Sequence, residues 1–236
     1  MKFNIQAMVG IAAISFAGAA SVSASTVNYS FGQVSGGNAP AGSPPWVQAS
    51  FTDVGMPANS VQLTLSAVNL SGGDFVSSWY FNVNPTLNPS SLTFSVASST
   101  GSFTGPSIQT GANSFKAGPD GKFDILLGFA TGGTSATQFG SGDTLTYIIS
   151  GISGLTADDF NSLSTTAGGK GAYYSSANIH SGGDCPSWIN PTTTTITQGN
   201  ARTDNVPDGS TTITLLGAAL AGIEVFRRKM QSRLAR

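Results

Sequence analysis

Hydrophobic and polar residues alternate with period two along most of this chain. Val61, Leu63, Leu65 and Ala67 alternate with Gln62, Thr64 and Ser66, and Trp79, Phe81 and Val83 with Tyr80 and Asn82. The same rhythm recurs at Leu92, Phe94 and Val96, at Phe123, Ile125, Leu127 and Phe129, and at Leu145, Tyr147 and Ile149. Strict alternation predicts strands with one face on a core and the other in water. Val27 to Val34 and Trp46 to Val54 read as two further strands, separated by a loop from Gly36 to Pro45. Turn-forming clusters punctuate the strands: Ser71-Gly72-Gly73-Asp74, Asn84-Pro85, Pro119-Asp120-Gly121 and Gly140-Ser141-Gly142-Asp143. Many short strands of this kind predict an all-β body, an antiparallel β-sandwich over residues 25–190. One short helix is expected at Thr156 to Leu163, with Thr156 as N-cap, Asp158 and Asp159 in the first turn, and Phe160 and Leu163 sharing a face with Leu155.

The two ends break this rhythm. Lys2 precedes an apolar run from Val9 to Ala20, and Val22-Ser23-Ala24 supplies the small residues of a signal-peptidase site. Residues 1–24 therefore read as a secretory signal peptide cut between Ala24 and Ser25. Pro191 to Asn205 is Thr-rich, lacks apolar periodicity and reads as a spacer. Beyond it come Val206-Pro207-Asp208-Gly209-Ser210, an apolar run from Thr211 to Phe226, and a basic end led by Arg227, Arg228 and Lys229. As a helix, residues 211–226 cover about 24 Å, enough to cross a bilayer with local thinning. The basic cluster holds that end in the cytoplasm.

This three-part tail resembles the PEP-CTERM class of bacterial sorting signals, in the variant that carries Val-Pro-Asp-Ser-Gly. Here Gly209 and Ser210 stand in the reverse order. The resemblance covers the tail alone. It implies that an exosortase, a membrane processing enzyme, cuts near Pro207-Asp208 after export through the Sec translocation machinery. The helix would then be a transient inner-membrane anchor, and the body would pass to the cell surface or extracellular matrix.

Composition changes the picture mainly by exclusion. Between the two signals four basic residues remain, Lys116, Lys122, Lys170 and Arg202, against nine aspartates. Nucleic acid is therefore not an expected partner. The body has no Glu, and the chain has one histidine, His180, and one cysteine, Cys185. No disulfide can form within the chain. Tyr173, Tyr174, His180, Asp184 and Cys185 gather in one segment, but they form no nucleophile, base and orienter set. Asp74, Asp120, Asp124, Asp143 and Asp184 offer oxygen ligands that calcium could use, but none has the spacing of a calcium loop and turn roles are the default, so no metal and no cofactor is expected. The body is expected to be no enzyme, with a structural or interaction role and extracellular polysaccharide as a partner. Two alternatives are a carbohydrate-binding module using exposed Trp46, Trp79, Tyr80 or Trp188, and a secreted hydrolase in which His180 meets two aspartates in one cleft.

Overall fold

The computed structural model of the chain describes residues 23–180 and 186–201. The alternating segments become strands: β1 (Ser23–Gly36), β2 (Val47–Thr52), β3 (Val61–Ala67), β4 (Phe75–Phe81), β5 (Thr93–Thr100), β6 (Ser107–Lys116), β7 (Lys122–Gly128), β8 (Phe139–Gly140), β9 (Thr144–Ser150), β10 (Ser175–His180) and β11 (Ser187–Ala201). β3 shows the cause most plainly. Val61, Leu63, Leu65 and Ala67 are buried, and the three polar residues between them are half-exposed.

Ten of the strands form one hydrogen-bonded path, β5-β9-β3-β2-β1-β11-β10-β4-β7-β6, with β8 added on β4. Every pairing between strands is antiparallel. Phe51 of β2 and Phe81 of β4 lie four positions apart in this order, which in a flat sheet means about 19 Å. Their rings are 5.0 Å apart, edge to face. The sheet therefore curls and encloses the core within its own concave side. This revises the expected sandwich: the body is all-β and antiparallel, but β1 and β11 pair where two separate sheets would have parted, leaving one sheet. Phe31 packs on Trp79 at 5.1 Å and Phe51 stacks on Phe160 at 4.3 Å, all of them buried.

Two further expectations are corrected. The helix at 156–163 is a single 3₁₀ turn, Ala157–Phe160. The Asp159 carboxylate accepts from Thr156 N at 2.9 Å and from Thr156 Oγ1 at 3.0 Å, and this start is not extended because the chain turns away after Phe160. Phe160 and Leu155 are buried as expected, whereas Leu163 is 54% exposed. The larger correction concerns the spacer. Residues 191–201 belong to β11, paired along its length with β1 from Phe31↔Pro191 to Ser23↔Ala201. Threonine is β-branched and favours a pleated, half-exposed surface, so a Thr-rich run lacking helical period suits a strand. Pro191 is tolerated there because it sits at a register shift on either side of Phe31, where the ladder is already interrupted.

Two predictions follow from this core. Deleting residues 191–201 should abolish cooperative unfolding in urea, whereas a true spacer could be removed with stability intact. The buried Tyr29 hydroxyl donates to the Phe160 carbonyl at 2.7 Å, and burial, then the neighbouring Tyr174, raises its pKa. A raised tyrosine pKa gives stability that is present below about pH 10 and is lost as pH rises toward the folded value. Tyr29→Phe should thus cost about 1–2 kcal/mol at pH 7 and make the fall in stability above about pH 10 shallower. Urea titrations across that range check both, and Tyr147, also raised by burial, should retain part of the alkaline sensitivity.

Candidate functional site

A broad, chemically uniform surface of the described body is the outer face of six neighbouring strands, β5, β9, β3, β2, β1 and β11. Cross-strand partners share a face, so the register assigns its rows. One row reads Thr195, Asn28, Ser50, Thr64, Thr146, Ser98, and the next Thr193, Ser30, Gln48, Ser66, Thr144, Thr100. A third reads Thr197, Thr26, Thr52, Gln62, Ile148, Ser95. No residue in these rows is charged, and Ile148 is the single apolar one. The face is polar because the inward positions between them, among them Val27, Tyr29, Phe31, Phe51 and Leu63, carry the core.

Neighbouring side chains on this face bind one another. Thr26 Oγ1 and Thr52 Oγ1 lie 2.7 Å apart, Thr93 Oγ1 and Ser150 Oγ 2.9 Å, and Ser66 Oγ and Thr144 Oγ1 3.4 Å. Asn28, Ser30, Gln48, Ser50, Thr64 and Ser66 line a shallow groove of about 300 Å³. Hydroxyls both donate and accept, and amides do each with a different atom. The surface can therefore make many shallow hydrogen bonds to a neutral polar partner, with no strong ionic attraction. Period-two reading exposed these residues one strand at a time. Their alignment into rows depends on register, which the sequence does not display.

Among the described residues, those considered for catalysis are not brought together. His180 ends β10, half-buried, with its ring 5.1 Å from that of Phe75. Asp184 and Cys185 lie outside the described residues. Asp158 is exposed, while Asp159 turns back on Thr156 and Asn84. An open cleft of about 440 Å³ contains Asp74 and Asp143, yet each carboxylate holds a loop: Asp74 accepts from Ala41 N at 2.7 Å and Asp143 from Gly140 N at 2.8 Å. Asp124 accepts from Val83 N at 3.1 Å and Asn113 N at 2.7 Å. Asp120 is fully buried and accepts from Ser35 Oγ at 2.9 Å and Ser176 Oγ at 2.8 Å. Among the described residues, no three His, Cys, Asp or Glu side chains are grouped to hold a metal.

The aromatic residues considered for sugar stacking are also placed differently. Trp46, Trp79 and Tyr80 are buried, at 4%, 0% and 8% exposure. Trp188 is half-buried, with its ring 5.8 Å from Tyr80 and its indole against Gly118. Alternation put Trp79 and Phe81 on the core side, and Tyr80 found a second small cluster with Ala117 and Phe123 on the other.

Both ends of the body leave from one place. Ser23 pairs with Ala201, so the chain enters β1 and leaves β11 side by side. Ala24 and Ser25, the residues of the expected signal cut, are buried within β1, and Ser25 N donates to Asp53 Oδ1 at 2.6 Å. Residues 1–22 of the expected signal peptide, the sorting residues Val206, Pro207, Asp208, Gly209 and Ser210, the apolar run 211–226 and the basic Arg227, Arg228 and Lys229 lie outside the described residues.

Residues 205–230 match the family model described as the VPDSG-CTERM motif. The tail is therefore a variant of the PEP-CTERM type of sorting signal, and it implies an exported protein processed by an exosortase. No curated protein and no solved structure matches the chain.

Asp120→Ala strips a buried carboxylate from two serine hydroxyls and should cost about 2–4 kcal/mol. His180→Ala should cost no more than about 1 kcal/mol. Thermal melts of the two variants beside the parent protein check the contrast.

Proposed function

We propose that this is a structural or interaction protein of the bacterial cell surface or extracellular matrix, delivered by export and exosortase cleavage, whose uncharged outer sheet face meets polysaccharide or neighbouring copies. The observation that carries the delivery half is the VPDSG-CTERM match over residues 205–230. In this reading the signal peptide is cut after Ala24, residues 211–226 anchor the chain transiently in the inner membrane, and the exosortase cuts near Pro207-Asp208. Pro207 lies six residues beyond Ala201, the end of β11, so extended chain can carry it at most about 20 Å from the folded sheet. The exosortase therefore works close against the body.

The interaction half rests on the rows of Ser, Thr, Asn and Gln across β5, β9, β3, β2, β1 and β11. A neutral polymer rich in hydroxyls matches such a face, because every position offers a donor or acceptor and none imposes a charge. Catalysis is not part of the proposal. His180 and the described aspartates serve separate local structures, and acid-base chemistry near neutral pH needs groups that converge on one substrate atom.

The processing test is the intact mass of the surface fraction in a host with a matching exosortase. The expected chain begins at Ser25 and ends near Pro207 or Asp208; recovery of chain carrying Arg236 would refute processing. The interaction test is co-sedimentation of the processed protein with matrix polysaccharide. Charging the middle of the face with Ser50→Glu and Thr64→Glu together should weaken binding by about tenfold, while Lys170→Glu leaves it unchanged. Turnover of glycans, esters or peptides that vanishes in His180→Ala would instead establish a hydrolase.

A further inference from the structure

Asp53 is fully buried at the end of β2, and its carboxylate binds two main-chain nitrogens far apart in sequence. Oδ1 accepts from Ser25 N at 2.6 Å, and Oδ2 from Ala157 N at 3.1 Å, where the 3₁₀ turn begins. The first distance is short even for a charge-assisted bond from nitrogen to a carboxylate. Ser25 is held from its other side too: its carbonyl accepts from Asp53 N at 3.1 Å and from Thr52 Oγ1 at 3.3 Å. Residue 25 is thus fixed by β2 without help from the residues before it.

We propose that removal of the signal peptide creates a buried ion pair here, with the new α-ammonium of Ser25 seated on the carboxylate of Asp53. The proposal rests on the cut between Ala24 and Ser25. Hydrolysis breaks that peptide C–N bond: water adds hydroxide to the Ala24 carbonyl carbon and a proton to the Ser25 nitrogen. At neutral pH the products are the Ala24 carboxylate on the departing signal and the Ser25 ammonium on the body. A neutral N–H donor thereby becomes a cation with three protons, in direct contact with a buried carboxylate. A buried charge is tolerated when paired and hydrogen-bonded, and this cut supplies both conditions at one atom. Ser25 Oγ is buried with no hydrogen-bond partner while Ala24 precedes it, so the mature N-terminus brings an unused polar group as well as its ammonium to this site.

The geometry also orders the events. Ala24 is 1% exposed and Ser25 0%, so a peptidase cannot reach the bond once β1 has docked. Cleavage must precede closure of the sheet. The ion pair then ties maturation to the core, because Asp53 also holds the turn that delivers Phe160 onto Phe51 and its carbonyl to the Tyr29 hydroxyl. The site is a receptor for the protein's own mature N-terminus.

The test uses the full chain expressed with its own signal in a Sec-competent bacterium and isolated after signal removal. N-terminal sequencing should give Ser25. An amine-acylating reagent, read on the N-terminal peptide by mass spectrometry, should modify the native α-amine about a hundredfold more slowly than the denatured one. Asp53→Asn should remove that protection and lower the melting temperature. Should Asp53→Asn fail to fold, a chain with one alanine inserted between Ala24 and Ser25, cut so that it begins Ala-Ser25, should fold with a freely labelled amine and a lower melting temperature. A Ser25 terminus labelled at the denatured rate would overturn the ion pair, and so would a mature terminus at any other residue. The C-terminal mass reads exosortase processing independently, so failure of one leaves the other standing.

Discussion

The pairing of β1 with β11 is the one ladder in the hydrogen-bonded path that joins its two halves. On one side lie β5, β9, β3, β2 and β1, and on the other β11, β10, β4, β7 and β6. The core is filled from both: Phe51 comes from the first half, Phe81 and Trp79 from the second, and each finds its partner across the divide. Without the β1–β11 ladder, each half keeps a curved sheet with an aromatic face open to water. Ser25 pairs with Gln198, so this closure joins residues separated by nearly the whole body. Loop-closure entropy makes such long-range pairing a late step in folding. The body can close only once β11, just ahead of the sorting motif, is available to pair with β1.

That arrangement relates delivery to structure. Ser23 and Ala201 pair, so the segments that precede β1 and follow β11 join the body at the same end of one ladder. The polar rows on the outer side of β1, β2, β3 and β9 run across these strands as one uncharged band. Side-chain hydroxyls bound to one another along the rows keep the face ordered without charge, and the absence of Lys and Arg from it fits a neutral polymer better than an anionic one.

Much of this fold was legible in the sequence wherever one face is apolar and the other polar without interruption. β3 and β9 show that alternation, and their bounds match the reading to within a residue. β11 hid because its apolar residues are sparse among threonines, with Ile189 buried but Ile196 46% exposed, and because its register against β1 shifts at four places. Each shift moves the phase by one residue, which erases a period-two signal. β6 was missed for a related reason: it is an edge strand, mostly exposed, with a register shift between Thr110 and Phe115. The curl could not be read from one strand at a time, since sandwich and curled sheet need the same alternation. At the sites, the turn roles of Asp74 and Asp143 follow from their Gly-rich surroundings, whereas Asp124, also expected in a turn, lies within β7 and accepts from Val83 N and Asn113 N. The reach of Asp53 to Ser25 and Ala157 spans 28 and 104 residues and left no local trace.

The account depends most on β11 being the strand that closes the body and not a tether. Hydrogen exchange on the processed protein measures this directly. Amides of residues 26–31 and 192–198 should be protected together and exchange at the rate of global unfolding, as expected of a central ladder. Exchange of residues 192–198 at the rate of an unstructured peptide, with the rest of the body protected, would contradict it.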